Sequence, residues 1–176
     1  MPHFAVAAVG ADRPGIVAAV TGVLVEADCN LEDTSMSILR GHFTMMLVVS
    51  GPDGLEPAEL ERALAAAAGD LVVTVRAIDD DVPQSPQGDP WNLAVYGADR
   101  PGIVHRVSRL LADRGVNIVD LTTRVIGADD RPVYAMILDV TLPAELDAAA
   151  LEAELRGVAA ELGVDCSLHP SEADIL

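Results

Sequence analysis

The octapeptide Gly-Ala-Asp-Arg-Pro-Gly-Ile-Val occurs twice in this chain, at residues 10–17 and again at residues 97–104. Each copy follows a short apolar run and precedes an amphipathic stretch, which is the pattern of a turn between a strand and a helix. An identity of this length at equivalent turns predicts that one structural unit has been duplicated. The repeat therefore restricts the chain to folds that are built twice from the same elements.

The register of the repeat continues beyond the octapeptide. Asn30 matches Asn117 at the same spacing of 87 residues, and farther on Phe43 matches Tyr134 at a spacing of 91. The change in spacing puts an insertion around residues 127–131, where Gly and Asp residues predict the tip of a hairpin. Repeats of this length indicate two domains rather than a solenoid, whose periods are shorter.

The chain of 176 residues is long enough for two small domains. We expect the first domain at residues 1–78, a linker at 79–90 and the second domain at 91–176. The linker contains three consecutive acids and three prolines, which is typical of an extended, solvated connector. Domains of this size usually gain stability from a partner surface.

The first half predicts the order βαββαβ. Pro14 is expected in the first turn of a helix, the pair Arg40-Gly41 predicts a tight hairpin, and Gly69 ends the second helix. The predicted strands are 3–9, 30–39, 42–50 and 71–78; the first helix buries Val17, Val20, Leu24 and Ala27, and the second, which begins at Pro57, buries Leu60, Leu64 and Ala67.

The second half repeats this order. Two such halves predict an α+β protein with two ferredoxin-like βαββαβ domains, each a four-stranded antiparallel sheet with both helices on one face. The predicted strands are 92–96, 117–126, 133–141 and 164–168; the helices are 101–114 and 146–162, and the latter buries Leu151, Leu155, Val158 and Leu162.

Two predicted strands alternate little between apolar and polar residues. Residues 45–49 and 135–138 are almost continuously apolar, as in strands that are covered on both faces. We therefore expect contact between sheets, within the chain and in a homo-oligomer such as a homodimer. Imperfect alternation in short strands is the alternative.

Composition excludes several classes of function. The net charge is −17, and the 11 basic residues form no stripe that would hold a phosphate backbone, so direct nucleic acid binding is not expected. No apolar run reaches the roughly 18 residues that span a membrane, and residues 1–9 lack the pattern of a signal peptide. Cys29 and Cys166 occupy non-equivalent positions, so we expect reduced thiols, no metal site and a cytoplasmic protein.

The repeated turn has the groups to recognise an α-amino acid. The unpaired N–H groups at a helix N-terminus suit a carboxylate, and a glycine there allows close approach. A nearby aspartate and the amide of an asparagine after the helix would then meet the ammonium group. These residues are Asp12, Gly15 and Asn30 in the first half, and Asp99, Gly102 and Asn117 in the second.

Each of these residues also has a purely structural explanation. An aspartate before Pro-Gly is a common helix cap, a glycine permits close packing of a helix on a sheet, and an asparagine tolerates the left-handed conformation at a helix exit. Because helix caps are so frequent, the sequence leaves both interpretations open. Arg13 and Arg100, inside the repeated turn, are expected to be exposed.

The motif Asp-Arg-Pro-Gly-Ile-Val, followed by Asp28–Leu31 in one half and Gly115–Ile118 in the other, resembles the ACT domain, a small regulatory domain that binds amino acids. The tandem pair, together with the segment 37–46, is similar to the glycine cleavage system transcriptional repressor family. The resemblance implies a ligand at an interface between domains, held by the first βα loop and by the residue that opens the second strand. The implied residues are Gly10, Asp12, Gly15 and Ile16 with Asn30, and Gly97, Asp99, Gly102 and Ile103 with Asn117.

The expected function is that of a non-enzymatic regulator without a cofactor. It would bind a small amino acid, with glycine or serine as the first candidates, and this binding would change its affinity for a protein partner. The resemblance implies a transcription activator as that partner. Two alternatives remain from the sequence: a ligand-free protein-interaction module, and a weak acylphosphatase-like hydrolase that uses Arg13 and Asn30.

Overall fold

The computed structural model describes residues 1–79, 88–126 and 133–171, and the chain divides into two compact units, Met1–Val82 and Pro83–Leu176. The first unit follows the order βαββαβ. Its elements are β1 (His3–Ala11), α1 (Ile16–Glu26), β2 (Asn30–Leu39), β3 (His42–Ser50), α2 (Pro57–Ala68) and β4 (Val72–Ile78).

The second unit repeats the same order. Its elements are β5 (Asp89–Gly97), α3 (Ile103–Asp113), β6 (Asn117–Ile126), β7 (Val133–Leu142), α4 (Ala148–Leu162) and β8 (Val164–Pro170). Both sheets are antiparallel and four-stranded, with the orders β2-β3-β1-β4 and β6-β7-β5-β8. The predicted α+β fold with two ferredoxin-like units is confirmed.

One hydrophobic core forms in each unit, between the sheet and its two helices. In the first unit alternate residues of β1, namely Phe4, Val6 and Ala8, are buried against Leu60 and Leu64 of α2. In the described part of the chain no helix is both long enough and apolar enough to cross a bilayer.

The first helix of each unit begins later than the sequence predicts. Gly15 is the N-cap residue of α1 and has a left-handed φ of 91°, so Pro14 lies in the turn before the helix and not in its first turn. The buried face consequently includes Ile16 and Val23, whereas Val17, which was expected to be buried, is 40% exposed.

The second helices differ from expectation at one position each. Ala68 is buried in place of Ala67, and Ala159 is buried while Val158 lies at the edge of the core. Both buried alanines lie four residues after a core leucine, Leu64 or Leu155, so they occupy the same face of the helix. The prediction was wrong because it placed the next buried residue three positions after the leucine instead of four.

Strand β5 begins earlier than expected. Asp89 and Pro90, which were assigned to the linker, pair with Leu142 and Thr141 of β7. Most of the predicted linker and the predicted hairpin tip at 127–131 lie outside the described residues.

The outer face of each sheet is open within its own unit. Met46 in β3 is 57% exposed and Ile137 in β7 is 46% exposed, while their neighbours on the inner face are buried. Strand β2 lies at a sheet edge, and all of its residues are exposed. Coverage of these surfaces by another domain or chain stays a prediction.

Candidate functional site

The repeated turn connects the first strand of each unit to its first helix. In the first unit the Asp12 N–H donates to the Gly41 carbonyl at 2.9 Å, which fixes the turn to the β2–β3 hairpin. Gly15 and the equivalent Gly102 have φ values of 91° and 94°, and a Cβ atom at either position would meet nothing within 4 Å. The conformation therefore requires these glycines, and both helices begin beside open space.

The aspartates of the motif do not cap these helices. At the start of α1 and of α3 no backbone N–H donates to a capping side chain, whereas in α4 the Ala149 N–H donates to Asp147 Oδ1 at 2.9 Å. Asp12 and Asp99 are exposed, so the helix-cap explanation of these residues is wrong. The first N–H groups of α1 and α3 have no partner within the helix and present the positive end of its dipole.

The arginines of the motif lie at the end of the second helix in each unit, and Arg13 donates a hydrogen bond there. Arg13 Nη2 donates to the Ala68 carbonyl at 2.9 Å, at the C-terminus of α2. Arg100 Nη1 lies 3.3 Å from the position that a Cβ on Gly163 would occupy, at the C-terminus of α4. A cation at this end of a helix complements the dipole. The acylphosphatase-like alternative, in which Arg13 would bind an anion, stays a prediction.

We expect Arg13→Ala to destabilise the protein by about 1–2 kcal/mol, because a charged hydrogen bond to the last helical turn is lost. Urea denaturation followed by circular dichroism measures the change. Arg109→Ala is the control, since Arg109 forms an exposed ion pair with Asp113 that contributes about 0.5 kcal/mol or less. Equal effects of the two substitutions would show that Arg13 does not hold α2.

Gly10 and Gly97 serve close packing between strands. A Cβ at Gly10 would overlap Leu71 Cδ2 and lie 3.2 Å from Leu71 Cα, and a Cβ at Gly97 would lie 2.9 Å from Val164 Cα. The glycines therefore let β1 pack closely against Leu71, directly before β4, and let β5 pack closely against the first residue of β8. The structure gives them a packing role that the sequence did not identify.

The isoleucines of the motif point into the cores. The side chains of Ile16 and Ile103 are 2% and 1% exposed. Only their backbone N–H groups are available at the start of the helix. Each side chain thus anchors the helix terminus, whereas the aspartate and the glycine of the motif are exposed.

Asn30 lies at the opposite end of the first unit from Gly15. It pairs with Ser50, which also pairs with His3 at the start of β1, whereas the turn follows Ala11, which pairs with His42. Eight residues of β3 separate these ends, a distance of about 26 Å. A pocket in which the turn meets the asparagine of its own unit, as the sequence suggested, is therefore excluded.

The second unit has the same separation, because Asn117 pairs with Thr141 whereas Gly97 pairs with Tyr134. Neither asparagine takes the left-handed conformation that was offered as its structural explanation. That conformation belongs to Asp28, with φ 53°, and to the equivalent Gly115, with φ 69°. The asparagines begin strands β2 and β6, and their side chains are not needed for the turn.

Tyr134 makes the surroundings of the second turn differ from the first. Burial raises the pKa of the Tyr134 phenol, the negative charge of Asp99 raises it further, and Thr123 lowers it. The equivalent residue in the first unit is Phe43, which has no hydroxyl group. The two turns therefore share a backbone arrangement but have different side chains beside their aspartates.

We expect Asp99→Asn to lower the pKa of Tyr134, because it removes a neighbouring negative charge. The Tyr96→Phe background leaves Tyr134 as the remaining tyrosine, and its ionisation is followed by ultraviolet absorbance. The raised pKa means that folding favours the protonated phenol, so this contribution to stability is fully present below the pKa of an unfolded tyrosine and is lost as pH rises through the raised pKa of folded Tyr134. An unchanged titration curve in Asp99→Asn would show that the charge of Asp99 does not affect the pKa of Tyr134.

The described residues contain no group of three or more His, Cys, Asp or Glu side chains that would hold a metal ion. Cys29 and Cys166 are free, and burial is the main cause that raises the pKa of each thiol. A partly buried thiol with a raised pKa is a poor nucleophile at neutral pH. The repeated turns are thus the candidate site of this part of the chain.

Comparison with known protein families assigns both units to the same family. Two models of the ACT domain match the chain, one over residues 3–77 and the other over residues 91–159. The chain belongs to the ACT domain family. It contains two ACT domains, and the predicted resemblance is confirmed.

Individual relatives extend this similarity over almost the whole chain. The glycine cleavage system transcriptional repressor of Escherichia coli is 28% identical over 95% of this chain and 89% of its own. A crystal structure of an unknown protein from Galdieria sulphuraria superposes with a TM-score of 0.83 at 29% identity, covering 97% of this chain and 99% of that one. Phosphoserine phosphatase SerB2 of Mycobacterium tuberculosis is 32% identical over 91% of this chain but only 39% of its own.

Proposed function

We propose that this tandem ACT protein is a non-enzymatic regulator that binds a small amino acid at the repeated turns. The observation that carries the proposal is that α1 and α3 both begin at an open, left-handed glycine without a side-chain cap. Their free N–H groups suit the carboxylate of an amino acid. The exposed carboxylate of Asp12 or Asp99 stands nearby in sequence for the ammonium group.

A second ACT domain would complete each site. The asparagine that opens β2 or β6 lies too far from the turn of its own unit, but these strands are sheet edges with one side unpaired. Antiparallel pairing of two edge strands brings the start of one beside the end of the other. An asparagine from one ACT domain would then approach the turn of another, and its amide would bind the ligand.

Glycine and serine are the first ligands to test. The names of two relatives contain glycine and phosphoserine, and the space beside Gly15 and Gly102 is open to a small zwitterion. Binding regulates only if the ligand favours one arrangement of the protein over another. We propose that this change is transmitted to a protein partner such as a transcription activator. With a net charge of −17, direct binding to DNA is not part of the proposal.

Isothermal titration calorimetry with glycine, serine and a panel of other amino acids tests this function. We expect a binding signal for at least one of them, and we expect the double variant Asp12→Ala/Asp99→Ala to lose it. Asp53→Ala is the matched control, since the Asp53 side chain is 91% exposed in a turn outside the motif. No heat from any amino acid at millimolar concentration would contradict the proposal.

A ligand-free interaction module is the second candidate. The exposed apolar residues Ile38 and Leu39, at the end of edge strand β2, favour it because exposed apolar edges often bind other proteins. In that case Asn30→Ala/Asn117→Ala would alter association of the chain, as measured by analytical ultracentrifugation, without altering any response to amino acids. If the same variant weakens amino acid binding, the sensor is supported.

A further inference from the structure

The helices of the first unit leave an open groove between them, away from the repeated turn. Its volume is about 660 Å³. The floor is apolar and formed mostly by small side chains, because α2 carries a run of alanines beside the second half of α1. The apolar lining residues are Val23, Ala27, Leu55, Leu60, Ala63, Ala66 and Ala67.

The rim of this groove is acidic. Glu26 and Asp28 stand at the end of α1, and Glu59 stands in the first turn of α2. The groove has no lysine, arginine or histidine among its lining residues. An apolar floor with a rim of one charge sign is complementary to a surface that carries apolar groups flanked by positive charges.

The second unit has an ion pair at the equivalent place. Arg114 stands at the position equivalent to Ala27, and Glu154 at the position equivalent to Ala63. Arg114 donates to Glu154 Oε2 from Nε at 3.0 Å and from Nη2 at 2.7 Å, which joins α3 to α4. Arg106 and Glu161 form another ion pair between these helices. With alanines at both of these positions, the first unit has no such bridge across its groove.

We propose that this groove docks an amphipathic helix of a partner protein, with lysine or arginine residues beside its apolar face. Helices bind such grooves through apolar side chains at i, i+3 or i+4 and i+7, and the acidic rim would pair with the flanking cations. A second copy of the chain fits less well, because a symmetric contact would bring the acidic rim against itself. The inference rests on the proposed function only in that a regulator needs a protein partner.

A displayed library of helical peptides tests the proposal on the full chain. The peptides carry random apolar residues on one face, with either lysine or glutamate at the flanks. We expect selected peptides to be flanked by lysine and to bind at least tenfold more weakly to Ala27→Arg/Ala63→Glu, which copies the bridge of the second unit. Selection of glutamate-flanked peptides, of peptides indifferent to the variant, or of none would overturn the proposal.

A charge reversal gives a second, independent readout. Glu26→Arg/Glu59→Arg keeps the apolar floor but changes the sign of the rim, so we expect preference to shift from lysine-flanked to glutamate-flanked peptides. Circular dichroism establishes that both variants are folded. Sedimentation velocity of the peptide-free chain must give the same mass for Ala27→Arg/Ala63→Glu as for the parent, and a lower mass would make the groove a contact between copies, against the proposal.

Calorimetry with glycine and serine on the same variants separates this inference from the proposed function. The substitutions lie outside the repeated turns, so any amino acid binding should remain. Amino acid binding without peptide selection would contradict the docking proposal and leave the proposed function unaffected. Peptide selection without amino acid binding would leave the groove standing and remove the sensor.

Discussion

Replacing Gly97 by alanine is expected to destabilise the second unit by about 3 kcal/mol. The new Cβ would lie 2.9 Å from Val164 Cα, a backbone atom of β8 that cannot move without disturbing the sheet. Forced overlap in a packed core typically costs about 1–3 kcal/mol, and contact with backbone places this site at the upper end. In a small domain of marginal stability, such a loss is a large fraction of the total.

Urea denaturation monitored by Trp91 fluorescence measures this effect, because the single tryptophan of the chain packs against the core of the second unit. Gly157→Ala is the control. Gly157 lies inside α4, and a Cβ there meets nothing within 4 Å, so this substitution should stabilise the helix by about 0.5–1 kcal/mol. Opposite signs for the two changes are expected; a neutral Gly97→Ala would mean that β5 and β8 are not so closely packed.

The double variant Gly15→Ala/Gly102→Ala is expected to lower the affinity for glycine or serine at least tenfold. Both positions have a left-handed backbone, so alanine costs about 1–2 kcal/mol of stability at each. The added Cβ atoms would also occupy the open space through which the carboxylate approaches the N–H groups of α1 and α3. A tenfold loss corresponds to about 1.4 kcal/mol of binding energy.

Gly54→Ala separates these two effects. Gly54 has a φ of 90° and an equally open Cβ position, but it lies in the turn before α2 and not in the motif. We expect a loss of stability similar to that at each of the two motif glycines, with unchanged affinity in calorimetry. If the double variant binds glycine and serine as the parent does, the turns are not the binding site. If Gly54→Ala lowers affinity equally, general destabilisation explains the result.

The sequence predicted the secondary structure well because the signals are local. The hairpin at Arg40-Gly41 fixed β2 and β3 to the residue, and the repeat predicted β6 from β2. The helix starts were misplaced by two residues, since a proline before a glycine marks the first turn of a helix in many sequences but here precedes a left-handed N-cap. Ala67 and Val158 were wrongly predicted to be buried, because residues at i+3 and at i+4 lie on nearly the same face of a helix.

The candidate site was less predictable because the role of each residue depends on contacts with residues that are distant in sequence. No local pattern reveals that Arg13 reaches the last carbonyl of α2 or that Gly10 makes room for Leu71. A signal did exist in the repeat itself, since an exposed arginine with no structural task would have little reason to occur in both copies. The separation of Asn30 from Gly15 was also available from the predicted topology, because α1 returns the chain to the start of β1.

The sequence by itself determined that one βαββαβ unit occurs twice and that each first helix begins at the same Asp-Arg-Pro-Gly turn, because hydrophobic periodicity and turn chemistry act over a few residues. Tertiary structure decided which residues of that turn hold the scaffold and which are left open. It also decided that the asparagines stand about 23–26 Å away, at the other end of each sheet. These properties depend on contacts between residues that are remote in sequence, and only the packed chain brings such residues together or keeps them apart.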